Sequence, residues 1–122
     1  MNIHAFWQAV LQQNEQELLT FFHSDAVIRW PCTNERFTAK DFIHVNCAYP
    51  GSWDGEMERL EHQGDQLITV MRVFSPETGA SFHAVSFITL RDDRIAAMTE
   101  YWSADGPAPA WRQAMGIGTA DT

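Results

Sequence analysis

Basic side chains are scarce in this chain: eight Lys and Arg stand against sixteen Asp and Glu among 122 residues, for a net charge of −8. The few cations are scattered, which argues against a nucleic-acid surface or an anionic membrane as partner. Cysteine is nearly absent. Cys32 and Cys47 come with no secretory leader and no framework of even spacing, so reduced thiols in a cytoplasm are expected rather than a disulfide scaffold. No apolar run approaches the roughly 20 residues that a membrane-spanning helix needs, and no repeat recurs at a solenoid period. His4, His23, His44 and His62 fall on different predicted elements without His-x-x-x-His spacing, so neither a metal nor another cofactor is expected.

Apolar residues, by contrast, make up 45% of the chain, enough for residues 1–122 to bury one core without staples. Ile3, Phe6, Trp7, Val10 and Leu11 follow the i, i+3, i+4, i+7, i+8 spacing of an amphipathic helix. Asn14 and Glu17 open a shorter helix from Glu15 to about Phe22. A brief strand, residues 26–30, stops at Pro31, and a polar loop follows. Thr38 and Asp41 then cap a third helix from Ala39 to about Tyr49. The rest is β. Residues 56–63 and 66–75 form a hairpin about Gly64-Asp65, and residues 81–102 form a longer one about Asp92-Asp93. The Gly-, Pro- and Ala-rich tail, residues 104–122, is expected to be mostly irregular, with Trp111 its one anchor. Helices first and hairpins afterwards make an α+β fold: a curved antiparallel or mixed sheet packed against three helices from the N-terminal half, with a cavity between them.

If Asp92 and Asp93 form a two-residue loop, His83 faces Trp102, Val85 faces Glu100 and Phe87 faces Met98, all on one side. Ala84, Ser86, Ala97 and Thr99 lie on the other side, which is small and apolar as a homodimer surface would be. Pairing Phe74 with His83 across the two hairpins adds Arg72 to the Glu100 side; a slip of one residue brings Met71 there instead.

The helix–helix start, the segment FFHSDAVIRWP and the final RIAAMTEYWSAD resemble a known superfamily, that of nuclear transport factor 2, scytalone dehydratase, ketosteroid isomerase and the SnoaL-like polyketide cyclases. The resemblance covers most of the chain and implies the cone-shaped, cystatin-like roll of that superfamily. Its limonene epoxide hydrolases carry Arg-x-Asp on the third strand and Trp-Arg-Asp-Tyr-Phe-Asp on the last. The matching residues here are Arg72-Val73-Phe74 and Met98-Thr99-Glu100-Tyr101-Trp102-Ser103. The arginine and one acid are kept, as Glu100, while Phe74 replaces the second acid, so the water-activating Asp-Arg-Asp array is not carried over.

Two functions follow. In the first, a cofactor-free isomerase, cyclase, dehydratase or hydrolase moves a proton on a small apolar substrate. Glu100 is its acid or base, with Arg72 and His83 as electrostatic partners and Trp30, Asn46, Arg59, Phe87 and Trp102 around the ligand. In the second, the same cone is a non-catalytic binding or dimeric assembly module. Structural roles compete with each assignment: an ion pair from Glu100 to Arg72 or Arg59, a core histidine at 83, a satisfied amide at Asn46, and ordinary core packing for the aromatics.

Overall fold

The structure is a computed structural model that describes residues 1–121. Along the chain run helix α1 (Ile3–Gln12), helix α2 (Glu15–Leu19), strand β1 (Phe22–Trp30), a 3₁₀ turn (Pro31–Thr33), strand β2 (Glu35–Thr38), helix α3 (Ala39–Ala48), strands β3 (Asp54–Gln63), β4 (Gln66–Phe74), β5 (Ser81–Arg91) and β6 (Arg94–Ala104), and a short helix α4 (Ala110–Gln113). The α+β expectation is met. The six strands form one curved mixed sheet in the order β2-β1-β6-β5-β4-β3, in which only β1 and β6 run parallel.

Local chemistry sets the helix starts. Asn2 Oδ1 accepts from Ala5 N at 3.0 Å, Asn14 Oδ1 from Glu17 N at 3.1 Å and Thr38 Oγ1 from Asp41 N at 3.2 Å, each satisfying an amide that the first turn leaves unpaired. The apolar stripe of α1 then seats Phe6, wholly buried, edge-on against Trp7, Phe21 and Phe22 at 5.6–5.8 Å between ring centres. Gln13, with a left-handed φ of 55°, ends α1, and its side-chain amide donates to the carbonyls of Asn46 and Tyr49, clamping α1 to the end of α3. Gly55 lies against α1. A Cβ there would lie 3.1 Å from both the Arg72 carbonyl and Leu11 Cδ1, so only glycine leaves the helix room.

Several boundaries differ from expectation. Strand β1 starts four residues early, so Phe22 belongs to the sheet and α2 ends at Leu19. The supposed polar loop contains β2, a four-residue edge strand paired to β1 from Val27 opposite Thr38 to Trp30 opposite Glu35.

The larger correction concerns register. Asp92 and Asp93 do form a two-residue loop, both with positive φ, and Arg91 pairs with Arg94, as a type I′ hairpin requires. One step further the ladder shifts: Leu90 pairs with Ile95 but Thr89 with Ala97, so Ala96 is an extra residue in β6. Beyond that bulge every side chain of β6 changes face relative to β5. Glu100 therefore faces Ser86 and Trp102 faces Ala84, while His83 faces Ser103. The β3–β4 hairpin keeps its expected Gln63–Gln66 pairing but has its own shift between Met57 and Arg59, which brings Met57 opposite Met71. Between the hairpins Phe74 meets Ser81 and Arg72 meets His83.

The helix-covered face of the sheet thus carries Leu67, Thr69, Met71, Val73, Ala84, Ser86, Ile88, Met98 and Glu100, all buried. The outer face carries Val70, Arg72, His83, Val85, Phe87, Thr99 and Tyr101. Ala84 and Ser86, expected at a dimer surface, lie in the core beneath the helices, and the Ala96 bulge places Glu100 on that same face rather than on the face of His83.

Candidate functional site

Glu100 is 6% exposed and sits on the helix-covered face. Both of its carboxyl oxygens are engaged: Trp30 Nε1 donates to Oε1 at 3.0 Å and Ser86 Oγ to Oε2 at 2.6 Å. Among the described residues no cation forms an ion pair with it. Burial pushes its pKa above the usual carboxylate range, and the bonds from Ser86 and Trp30 oppose that shift only in part. The surroundings are aromatic. Trp30 meets Phe37 at 4.7 Å, Phe42 at 6.0 Å and Trp102 at 6.3 Å between ring centres, each edge to face. The 3₁₀ turn at Pro31 redirects the chain here, and Cys32 Sγ donates to the Trp102 carbonyl at 3.6 Å. A carboxyl group whose pKa is raised in this way is placed to exchange a proton with a bound molecule.

His83 and Arg72, the expected partners of Glu100, are brought to each other but not to it. Both project from the outer face. His83 is held between two carboxylates, Asp105 Oδ1 at 2.5 Å from Nδ1 and Glu58 Oε1 at 3.0 Å from Nε2. The Asp105 bond leads in raising its pKa above the ordinary histidine value. Arg72 pairs with Glu56 at 3.2 Å and lies 4.3 Å over the Phe74 ring. The physical reason for the separation is the Ala96 bulge, which sends Glu100 inward while Arg72 and His83 stay outside.

Of the ligand-contacting residues expected from sequence, Trp30 and Trp102 flank Glu100. Phe87 stands on the outer face, 41% exposed and 6.0 Å from the Tyr101 ring. Arg59 lies exposed, bonded to Glu61 at 2.9 Å. Asn46 Nδ2 donates to the Val10 carbonyl at 3.1 Å and so joins α3 to α1 as a satisfied amide. Burial, with the nearby charge of Glu15, raises the Cys47 thiol pKa and keeps it protonated.

The cavity opens elsewhere along the same face. A cleft of about 340 Å³ lies between α1, the start of β3 and the second half of β4. Trp7 and Met71 form its buried floor; Leu11, Trp53 and Met57 form half-buried walls; His4, Gln8, Gln12 and Asp54 stand at the rim. Trp7 Nε1 is spent on Thr69 Oγ1 at 3.1 Å, which leaves the indole face toward the cleft as an apolar surface. Sequence reasoning missed this site, although α1 carried the signal: His4, Gln8 and Gln12 recur every fourth residue beside Trp7 and Leu11, the mark of a helix with a polar rim along an apolar stripe. Ser86 was missed as the partner of Glu100 because the bulge was not foreseen. Among the described residues no group of three His, Cys, Asp or Glu is placed to hold a metal ion, and no helix is long and apolar enough to cross a membrane.

Comparison with known proteins bears on the fold. A nuclear transport factor 2-like protein of unknown function from Burkholderia xenovorans LB400 superposes with a TM-score of 0.77 at 22% identity, covering 97% of this chain and 91% of its own. A candidate ketosteroid isomerase from Kribbella flavida DSM 17836 gives 0.77 at 21% identity over 98% and 88%. An epoxide hydrolase of the limonene type from M. tuberculosis gives 0.69 at 14% identity over 83% and 79%. These identities speak to fold alone. No curated protein matches the chain. The profile of the SnoaL-like domain matches residues 3–98, from the first helix to the middle of the last strand, and the chain belongs to that family.

Proposed function

We propose that this SnoaL-like protein binds a small, largely apolar molecule in the cleft between α1 and the β3–β4 edge. The observation that carries the proposal is the cleft itself: about 340 Å³ of space, floored by Trp7 and Met71 and rimmed by polar side chains. That volume is at the lower end of the roughly 300–1,000 Å³ typical of small-molecule sites. Apolar area on the walls supplies affinity, and the rim orients a single polar group. A thermal-shift screen with hydrophobic small molecules tests the proposal. Compounds that raise the melting temperature of the wild type should lose that effect against Gln8→Trp, which fills the cleft from an exposed helix position. A panel without hits, or hits indifferent to Gln8→Trp, would contradict it.

A second reading is favoured by Glu100. A carboxyl group whose pKa is raised by burial in an aromatic recess is suited to proton transfer on a substrate carbonyl or ether oxygen, with Trp30 and Ser86 fixing its orientation. With Arg72 and His83 on the opposite face, it would act without a cationic partner. Glu100→Gln should then abolish turnover while the melting temperature is held. Unfolding of that variant, or activity at the wild-type rate, would remove Glu100 from catalysis and leave binding alone.

A further inference from the structure

Two indoles line the cleft between α1 and the β3–β4 edge, and neither has an N–H to offer a ligand. Trp7 Nε1 donates to Thr69 Oγ1 at 3.1 Å, and Trp53 Nε1 donates to the Pro50 carbonyl at 3.0 Å. Edge contacts with Tyr49 at 5.5 Å and Phe82 at 5.7 Å between ring centres hold the Trp53 ring in place. What remains for a ligand is the π surface of each indole, beside the polarisable thioethers of Met57 and Met71.

Charge around the cleft is of one sign. No Lys or Arg lines it, and its one imidazole, His4, stands exposed at the rim. Asp54 stands at the same rim. Its Oδ1 accepts from Gly55 N at 2.8 Å, and among the described residues no cation forms an ion pair with it. A carboxylate or phosphate on a ligand would leave water for walls that return no side-chain donor below the rim. A cation meets the reverse. The ring quadrupoles attract it, Asp54 is free to pair with it, and the field of a chain with net charge −8 concentrates cations at the surface. A neutral molecule of the same shape gains the burial without these three attractions.

We propose that the cleft takes an organic cation: an amine or quaternary ammonium group on an apolar body, its charged head against the Trp7 and Trp53 rings and Asp54 its counter-ion at the mouth. The proposal rests on the reading of the cleft as a binding site and commits to the one polar group that its rim orients.

Amide chemical-shift titrations of the full chain with two compounds of one shape test it: phenyltrimethylammonium, and tert-butylbenzene, in which carbon replaces the charged nitrogen. Both should move the resonances of Gln8, Leu11, Gly55 and Met57, and the cation should bind about tenfold more tightly, as expected for a partly desolvated charge against an aromatic face. Asp54→Asn keeps the oxygen that accepts from Gly55 N. It should weaken the cation about threefold, the scale of one exposed charge pair, and leave the hydrocarbon unchanged; added salt should do the same. Equal affinity for the two compounds, tighter binding of the hydrocarbon, or a cation indifferent to Asp54→Asn would overturn the choice of a cation and leave the cleft as a binding site. A cation that moves none of these resonances overturns it as well, and if the neutral compounds of the thermal-shift panel also move none, the cleft reading falls with it.

Discussion

Glu100 joins the stability of this fold to pH. Unfolded, the carboxyl titrates near its ordinary value of 4.5; folded, burial raises that value. In the interval between the two the folded state binds more protons than the unfolded state, so stability falls as pH rises through that interval and levels off above the folded pKa. Glu100→Gln keeps an acceptor for Trp30 and a polar group for Ser86 but has no charge to bury. Its stability at neutral pH should equal or exceed that of the wild type, and the decline above about pH 4.5 should be reduced when urea unfolding is followed from pH 4 to 8. An unchanged slope would mean that Glu100 is not the group responsible. Glu100→Ala is a different test, because it strands the Trp30 N–H and the Ser86 hydroxyl. A loss of about 1–3 kcal/mol is expected from the unmet hydrogen bonds. His83 acts at the other face with the opposite bookkeeping of partners: its carboxylate contacts favour the imidazolium, so their contribution is present below the ordinary pKa and is lost as pH rises through the raised one.

Among the elements, α1 does most to shape the cone. Phe6 is enclosed by three aromatic neighbours at its base, and Phe6→Ala should cost about 3–5 kcal/mol in equilibrium unfolding; a loss below about 1 kcal/mol would show that the helix does not rest on that contact. The helices were legible in the sequence because their signals are local: a cap at Asn14 or Thr38 and, for α1, an apolar stripe of the right period. The hairpins were legible as hairpins because Gly64-Asp65 and Asp92-Asp93 are turn chemistry. Their faces were not. Both sides of β5 and β6 are apolar, so alternation could not reveal that Ala96 adds a residue to one strand, and the small Ile95-Ala96-Ala97 stretch accepts a bulge without leaving a mark in composition. One extra residue thereby turned Glu100 away from Arg72 and His83. Strand β2 and the parallel pairing of β1 with β6 were hidden for another reason. Both are tertiary: four mostly exposed residues gain strand geometry only from the neighbour that they hydrogen-bond.

For the whole molecule, the two faces of the sheet divide the work. The covered face contains the buried acid and the cleft; the outer face contains the His83 ion pairs. Glu100 and Trp102 were identifiable from sequence as an acid and an aromatic on the closing strand, and Trp30 as an aromatic at the end of β1, whereas the cleft depends on how α1 crosses β3 and β4, which no short stretch of sequence records. Binding in that cleft is the central claim, and amide chemical-shift mapping tests it most directly. A hydrophobic compound from the thermal-shift screen, titrated into labelled protein, should move the resonances of Gln8, Leu11, Gly55, Met57 and Met71. Shifts confined to Phe37, Glu100 and Trp102, or none at saturating compound, would contradict it.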